Sequence, residues 1–472
     1  MGEPPLTAGA LAATIGAALV GDPTVELLDA THDSRRAGPG VLFCCVPGEH
    51  HDGHDFAASA VAAGASAVLC SRRLDLAVPQ LVVDDPRAAM ALAAAAVHHH
   101  PSDALTVIGV TGTNGKTTVV TMLGALLAHA GRTVEAIGTL TGARTTPEST
   151  DLQAQLAEFR DRGVTHVAME VSSHALELHR VDATHFAVAV FTNLGEDHLD
   201  FHRTPEAYFA AKARLFEAGR CDVAVINVDD VHGRLLRDAA SVPVVPYSVE
   251  GLDSLDLRGD GSSFTWRGHS VELAAPGRHN VANALAVAEA ARALGVAEHD
   301  IVAGLAGAPA VPGRFERVDE GQPFAVVVDY AHTPDALENV LTAARELVAV
   351  TDTGPGRLIV VFGCGGDRDA AKRPAMGRVV TERADVAIVT NDNPRSEDPL
   401  RIISEIRSGC VHEPIVEPDR RAAIRLALAS AATGDVVVIA GKGHEQGQQF
   451  SDRTEAFDDR LVAAEELREG RA

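Results

Sequence analysis

Cysteine is scarce in this chain and never paired. Cys44, Cys45, Cys70, Cys221, Cys364 and Cys410 include no C-x-x-C motif, which excludes a zinc ribbon or disulfide framework and suits a reducing compartment. Aromatic residues make up only 4%, with one tryptophan. No basic stretch leads into an apolar segment at the N-terminus, and no apolar run reaches membrane-spanning length. A cytoplasmic enzyme with no membrane insertion is therefore expected. Cations are also in short supply, with 41 Lys plus Arg against 65 Asp plus Glu and a formal charge of −24. Such a field repels nucleic acid and anionic membrane, while a local basic pocket can still hold phosphates. At 472 residues, 46% of them hydrophobic and 22% charged, the chain is globular and too long for a single core.

The most informative stretch is Gly109 to Thr118, GVTGTNGKTT. The short apolar run Leu105–Ile108 precedes it as a buried strand, and a helical pattern from Thr117 to Ala130 follows and stops at Gly131. A glycine-rich turn between strand and helix aims backbone N–H groups and the positive helix end at one point, where a polyphosphate fits. Lys116 adds a cation beside the β- and γ-phosphates, and the Thr117 hydroxyl takes a Mg²⁺ position. The strict phosphate-loop spacing asks for glycine at the place held by Val110, with Gly112 lying nearer. This is a nucleotide site.

Residues 1–103 read as a first α/β unit, with strands Val41–Val46 and Ser66–Cys70 and helices Asp55–Ala65 and Pro86–His100. His98-His99-His100 reads as a solvated helix end facing the negative dipole. Pro101-Ser102-Asp103 reads as a linker into a central unit, 104–316. That unit carries a helix Asp151–Arg162 and a strand Val164–Glu170, whose terminal carboxylate is well placed for Mg²⁺. Strands Phe186–Phe191 and Val223–Asn227 follow, and Tyr208, Lys212 and Phe216 fall on one helix face. Pro312–Glu316 reads as a hinge into a third unit, 317–472. There strands Ala325–Asp329, Leu358–Phe362, Val386–Thr390 and Val436–Ala440 alternate with helices starting at Pro334, Asp369, Leu400 and Asp419. The alternation predicts an α/β, doubly wound, Rossmann-like parallel sheet with ligand loops at the strands' carboxyl ends.

The motifs TGTNGKTT (111–118), EVSSHAL (170–176), FTNLGEDHLDFH (191–202), YFAAKARLF (208–216), GRHNVANALA (277–286), PGRFE (312–316), DYAHTPDAL (329–337), GCGGDRD (363–369), DNPRSEDP (392–399) and GKGHE (441–445) resemble those of the Mur ligases. These are cytoplasmic ATP-dependent amide-bond enzymes of bacterial cell-wall precursor synthesis, and hence of cell shape and division. The resemblance spans all but the first hundred residues and implies three domains: a UDP-precursor-binding domain, a central phosphate-loop domain and a C-terminal Rossmann-like domain. The loops DSR (33–35) and GEHHDG (48–53), the TTPE turn (145–148) and DNPR (392–395) look like the subgroup that adds the third peptide residue, of the meso-diaminopimelate type.

The resemblance also implies a reaction and the residues that would carry it. ATP would phosphorylate the D-Glu carboxylate of UDP-N-acetylmuramoyl-L-Ala-D-Glu, and an amine would displace the phosphate. Gly112, Thr113, Asn114, Gly115, Lys116, Thr117 and Thr118 would hold the phosphates, Asn280 and Asn283 would lie near adenine, and Arg314 and Asp329 would close from the hinge side. One Mg²⁺ would lie on Thr117 and Glu170 and a second on His198 and Lys212, the lysine as its carbamate. The UDP precursor would contact His32, Ser34, Glu49, His50 and His51 through uridine diphosphate, and Thr145, Thr146, Ser172 and Arg180 through the muramoyl peptide. Arg368 and Arg395 would grip the far carboxylate of the diamino acid and Glu445 its ammonium, beside Asp392, Asn393, Pro394 and Gly441. A monomer is expected. Gly195-Glu196 stands where relatives often carry Ser-Arg, Arg144 where some have Asn, and Leu178 where Gln occurs. The rival readings are the same chemistry with L-Lys or another diamino acid, an amide ligase resembling folylpolyglutamate or cyanophycin synthetase, and a nucleotide-binding scaffold.

Overall fold

Apolar runs that are buried on both faces pair as parallel strands, because only helices packed above and below can cover them. The computed structural model describes residues 6–48, 51–195, 197–258, 260–351 and 354–470, and their strands form three main sheets. The first has five strands in the order Ala18–Val20, Gln80–Val82, Ala67–Cys70, Val41–Cys44 and Asp29–Thr31, parallel except for its antiparallel first pair. Asp85 caps the helix Pro86–Val97 by accepting from the N–H groups of Arg87 and Ala88, with Pro86 in the first turn.

The central sheet is entirely parallel, in the order Val244–Tyr247, Cys221–Asn227, Phe186–Phe191, Thr106–Thr111, His166–Glu170 and Val134–Ile137. Its middle strand, Thr106–Thr111, feeds the phosphate loop. Val110, the residue out of keeping with the strict loop spacing, is a fully buried member of that strand, opposite Glu170 and Val190. The loop proper therefore begins at Gly112. Helices Lys116–His129 and Arg278–Ala293 cover one face, and an antiparallel three-stranded sheet, Leu255–Arg258, Gly261–Trp266 and His269–Leu273, packs Phe264 and Trp266 into the same core.

The third sheet runs Glu316–Arg317, Ala325–Asp329, Val436–Ala440, Leu358–Phe362, Val386–Val389 and Ile415–Val416, parallel beyond its first, antiparallel strand. Separate apolar clusters fill its two faces, as a doubly wound sheet requires.

Several sequence expectations need correction. The strand from Val41 ends at Cys44, and the helix expected over 55–65 is a 3₁₀ turn, Gly53–Phe56, followed by Ala57–Ala62. The helix from Pro86 stops at Val97, because His99 and His100 take positive φ. The His98 side chain is only 14% exposed and lies 3.3 Å from Asp29, so this residue is no solvated helix end. Residues 101–103 belong to a 3₁₀ turn in which Pro101 and Ser102 are buried, more a packed corner than a linker. The helix expected from Asp369 begins at Lys372, after Asp369 has accepted from the Ala371 N–H in a turn.

Arg420 and Asp459 form a fully buried pair at 2.6 Å, and the same guanidinium reaches the carbonyls of Asn391 and Ala440, where two ligand loops begin. Removing one member of a buried pair leaves an unpaired charge. Asp459→Leu is expected to lower stability by about 3–5 kcal/mol, read from the denaturant midpoint at unchanged slope. A loss below about 1 kcal/mol would mean that water screens the guanidinium.

Candidate active site

The turn from strand to helix at 112–116 exists because glycine stands where no side chain fits. Gly115 has φ +88°, and a β-carbon there would collide with Asn283 Oδ1. The Asn114 N–H donates to Asn193 Oδ1 at 2.9 Å, and Thr113 Oγ1 meets Tyr208 Oη at 3.1 Å. Lys116 curls back so that its Nζ donates to the carbonyls of Gly112 and Thr113, each at 2.8 Å. Burial lowers its pKa, opposed by the charge of Glu170.

Thr117 Oγ1 lies 3.0 Å from both oxygens of buried Glu170, whose Oε1 also accepts from the Thr139 N–H at 2.8 Å. Arg314 donates to the same hydroxyl at 3.3 Å. Hydroxyl and carboxylate oxygens set this close are hard donors that fit Mg²⁺, an ion that ordinarily uses one or two carboxylates and leaves its other positions to water and substrate phosphate. Among the described residues, no group of three or more His, Cys, Asp or Glu side chains forms an all-protein cage.

His198 has φ +57° at the start of the helix Leu199–His202. Its ring stands edge-on to His174, centroids 4.7 Å apart, and burial holds its pKa down to about 3, leaving a neutral imidazole. Lys212 is 1% exposed; its Nζ donates to the Gly112 carbonyl at 2.9 Å and lies 4.4 Å from the centre of the Tyr208 ring. Burial, then the neighbouring Lys116 charge, push its pKa well below the usual lysine value. As a free amine Lys212 donates a hydrogen bond here and, having no oxygen to offer, is a poor ligand for a hard ion such as Mg²⁺.

Two cavities open from the loop. One, of about 260 Å³, lies among Asn114, Asn280, Asn283, Arg314 and Tyr330. Arg314 stacks 4.4 Å over the Tyr330 ring, and Asp329 accepts from the Phe315 and Ala331 N–H groups at 2.6 and 2.7 Å. Burial raises the Asp329 pKa against the pull of Arg314. The second, of about 370 Å³, is lined by Lys116, Thr117, Glu170, His198 and Lys212 on the central side and by Arg368, Asp392, Asn393, Arg395, Gly441 and Glu445 from the third sheet. Residues far apart in the chain thus share one chamber. In it Asn393 Nδ2 donates to Glu445 Oε2 at 2.8 Å; Pro394 does not line the chamber, and its carbonyl receives the Glu397 N–H at 3.1 Å.

Thr145 and Ser172 line the same chamber. Thr146 Oγ1 donates to the Glu170 carbonyl and accepts from the Ser172 N–H, while Arg180 reaches the Thr146 carbonyl and Glu148. His32 and Ser34 do not line it: His32 hydrogen-bonds Thr150 at 3.0 Å, and Ser34 opens a 3₁₀ turn capped by Asp33. The His51 ring stands edge-on to Phe56, and Glu49 and His50 lie outside the described residues.

Residue-level reading missed three groups. Buried Asp197 receives Lys372 at 3.4 Å and His332 at 3.8 Å, both from the third sheet's side. Burial favours its neutral form, yet His332, His198 and Lys372 hold its pKa well below the usual carboxylate range. Lys442, 0% exposed, donates to Asn393 Oδ1 and Glu445 Oε2 at 2.9 and 3.0 Å. Arg87 reaches across from the first sheet's helix to Glu148, which Arg144 also contacts, at 2.5 Å. The only sequence signal for Asp197 and Lys442 was membership of a motif, and Arg87 carried none, because its partner Glu148 lies 61 residues on. The Gly195 departure has a reason: the Asp335 carboxylate packs where a side chain would stand. Nothing in the structure explains Leu178, and Glu196 lies outside the described residues.

A parallel sheet with a glycine-rich phosphate loop, facing a Rossmann-like sheet across a cation-rich chamber, defines a nucleotide-dependent group-transfer enzyme. Three family descriptions match in succession: "Mur ligase family, catalytic domain" at 30–110, "Mur ligase middle domain" at 110–291 and "Mur ligase, glutamate ligase domain" at 313–443. The UDP-N-acetylmuramoyl-L-alanyl-D-glutamate--2,6-diaminopimelate ligase of Streptomyces coelicolor is 46% identical over 95% of this chain and 94% of its own. That of Solibacter usitatus is 46% identical over 94% of each. A solved structure of a ligase of that name superposes with TM-score 0.66 at 33% identity, covering 95% of this chain and 96% of the other. The chain belongs to the Mur ligase family.

The His174 pKa is lowered to about 4, chiefly by burial. A depressed histidine resists protonation in the folded state, so its contribution is intact above about pH 6.5 and lost as pH falls toward 4. Unfolding free energy is expected to decline across that window by up to about 1.4 kcal/mol per pH unit, less for a partly exposed ring. His174→Asn should flatten the decline; an unchanged slope in titrated denaturation curves would assign it to other groups.

Proposed function

We infer that this enzyme ligates meso-diaminopimelate to the D-Glu carboxylate of UDP-N-acetylmuramoyl-L-Ala-D-Glu, consuming ATP in peptidoglycan precursor synthesis. The names of its relatives support that reaction, and the observation that carries the reading is the shared chamber. Phosphate-loop groups line one side of it, and Arg368, Arg395 and Glu445 line the other. A carboxylate and an amine do not condense at neutral pH, because oxide is a poor leaving group. In the proposed reaction the carboxylate oxygen attacks the γ-phosphorus, ADP departs, and the amine then displaces phosphate from the acyl phosphate. The first step joins two anions, so its transition state needs fixed positive charge.

Lys116 and the positive end of its helix would hold the phosphates, and Asn280, Asn283, Arg314 and Asp329 the nucleoside end. Thr117 and Glu170 would hold Mg²⁺, which when bound neutralises phosphate charge as a Lewis acid. His198 and Lys212 would hold a second ion. Lys212 suits this after its neutral amine has added to CO₂ and lost a proton, giving a carbamate with oxygen donors. The low basicity that burial imposes keeps the amine free for that addition. Thr145, Thr146, Ser172 and Arg180 would orient the muramoyl peptide, and His32, Ser34 and His51 would serve the uridine diphosphate end. At the far end of the amino acid, Arg368 and Arg395 would pair its carboxylate while Glu445, steadied by Lys442 and Asn393, accepts from its ammonium. No helix among the described residues is long and apolar enough to cross a membrane. We place the enzyme in the cytoplasm as a monomer, where ATP and the soluble precursor meet.

Phosphate release should require the UDP-dipeptide and a diamino acid together; release with either alone would reject the reaction, and a panel of diamino acids, lysine included, ranks the acceptors. Lys212→Ala should lose about two orders of magnitude or more in turnover, with no recovery in high bicarbonate. Full activity in that variant removes Lys212 from the site. Arg395→Ala is expected to raise the KM for the amino acid about tenfold or more while that for ATP stays close to wild type. Equal shifts in both would count against the assignment.

A further inference from the structure

Arg373 is, with Arg420, one of the two largest fully buried side chains of the described residues, 0% exposed in the first turn of the helix Lys372–Arg383. It lines neither cavity itself and stands behind the wall of the second, where Gly365 is a lining residue. Its guanidinium grips both oxygens of Glu397, at 2.9 and 2.8 Å, and donates to Glu405 at 2.6 Å and to the Gly365 carbonyl at 3.2 Å. These carboxylates, outweighing burial, raise its pKa, so the charge is permanent. A two-pronged guanidinium–carboxylate contact fixes orientation as well as distance.

Two of those partners belong to the loops that carry the chamber's arginines. Glu397 Oε1 also accepts from the Asp367 N–H at 2.6 Å, and the Asp367 carboxylate receives the Ser396 N–H and hydroxyl at 3.1 and 2.6 Å. Arg395 Nη1 donates to the Gly366 carbonyl at 2.6 Å, and the Gly366 N–H to the Asn393 carbonyl at 2.8 Å. Asp367 and Arg395 both have φ +53°, a left-handed conformation that non-glycine residues hold only where surrounding contacts impose it. Glu405 differs: it sits on the helix Pro399–Arg407 and pairs with Arg401 at 3.0 Å, away from both loops.

We propose that Arg373 is a positioning residue that, through Glu397, locks the loops 363–369 and 391–398 in one register and so sets the spacing of Arg368 and Arg395 that selects the amino acid. Without the clamp the Glu397–Asp367 link between the two loops loses its buried anchor, Asp367 can relax toward ordinary φ, and the two guanidiniums lose their common aim. The proposal deepens the functional reading above and rests on it.

The experiment compares Glu397→Gln with Glu405→Gln, each removing one carboxylate from the same buried cation. Both should lower the melting temperature. Glu397→Gln alone should raise the KM for diaminopimelate about tenfold or more, leave those for ATP and the UDP-dipeptide within about twofold, and shrink the preference over lysine. Arg373→Lys, which keeps the charge but not the fork, should behave as Glu397→Gln does. Equal KM shifts from Glu397→Gln and Glu405→Gln, or none from Glu397→Gln, would overturn the proposal and leave Arg373 a core ion pair. Should the wild-type enzyme refuse diaminopimelate, the functional reading fails separately, and the same comparison is made with the amino acid that supports phosphate release.

Discussion

Two lysines share one carbonyl oxygen. Lys116 Nζ at 2.8 Å and Lys212 Nζ at 2.9 Å both donate to Gly112 O, one from the phosphate loop and the other from a helix nearly a hundred residues on. Two ammonium groups this close repel, and burial offers little solvent to screen them. The least costly arrangement keeps one of them neutral, and the more buried Lys212 is the one whose basicity falls furthest. A neutral amine beside a second lysine would be a poor surface feature, but it is what the carbamate proposed for Lys212 requires, since only an unprotonated amine adds to CO₂. The phosphate loop and the Lys212 pocket are therefore one electrostatic unit rather than two adjacent sites.

Around that unit a chain of formal charge −24 gathers a local cluster of cations. The chamber collects Lys116, Lys212, Arg314, Arg368, Lys372 and Arg395 from two sheets. Several are restrained: Arg314 on the Tyr330 ring, Lys372 on Asp197, Arg395 on Gly366 and Gln449. Restraint of this kind matters because charge already aimed at a transition state needs no reorganisation when the state forms. Asp197, reached by His332 and Lys372 from the opposite sheet, is also where the two halves of the chamber meet.

Much of this architecture was legible from local pattern. Phe186–Phe191, Ala325–Asp329, Leu358–Phe362 and Val436–Ala440 run over the residues expected of them, because an all-apolar run between turn residues has few alternatives to a buried parallel strand. Boundaries slipped where a neighbour competed with the local signal. His98 turned inward to Asp29, and alanine-rich 55–65 split because Asp52 caps an earlier 3₁₀ turn. Val110, an apparent flaw in the phosphate loop, is a core strand residue, a distinction that spacing alone could not draw.

What the amino-acid order determined by itself was the short-range part: the glycine turn, the carboxylate at the end of its strand, the alternation that makes the sheets, and the chemical types at each ligand loop. Those depend on neighbours within a few residues, where covalent geometry and hydrophobic period leave little freedom. Only the tertiary structure decided which of them act together. Lys212 lies against the Gly112 carbonyl, Lys442 holds Glu445 to Asn393, and Arg373 ties Glu397 to the Gly365 loop, all through contacts set by sheet order and crossover connections. A buried charge carries no periodic signature, because its position answers to partners on other elements. Its environment, and hence its basicity and its role, comes into being only when those elements pack.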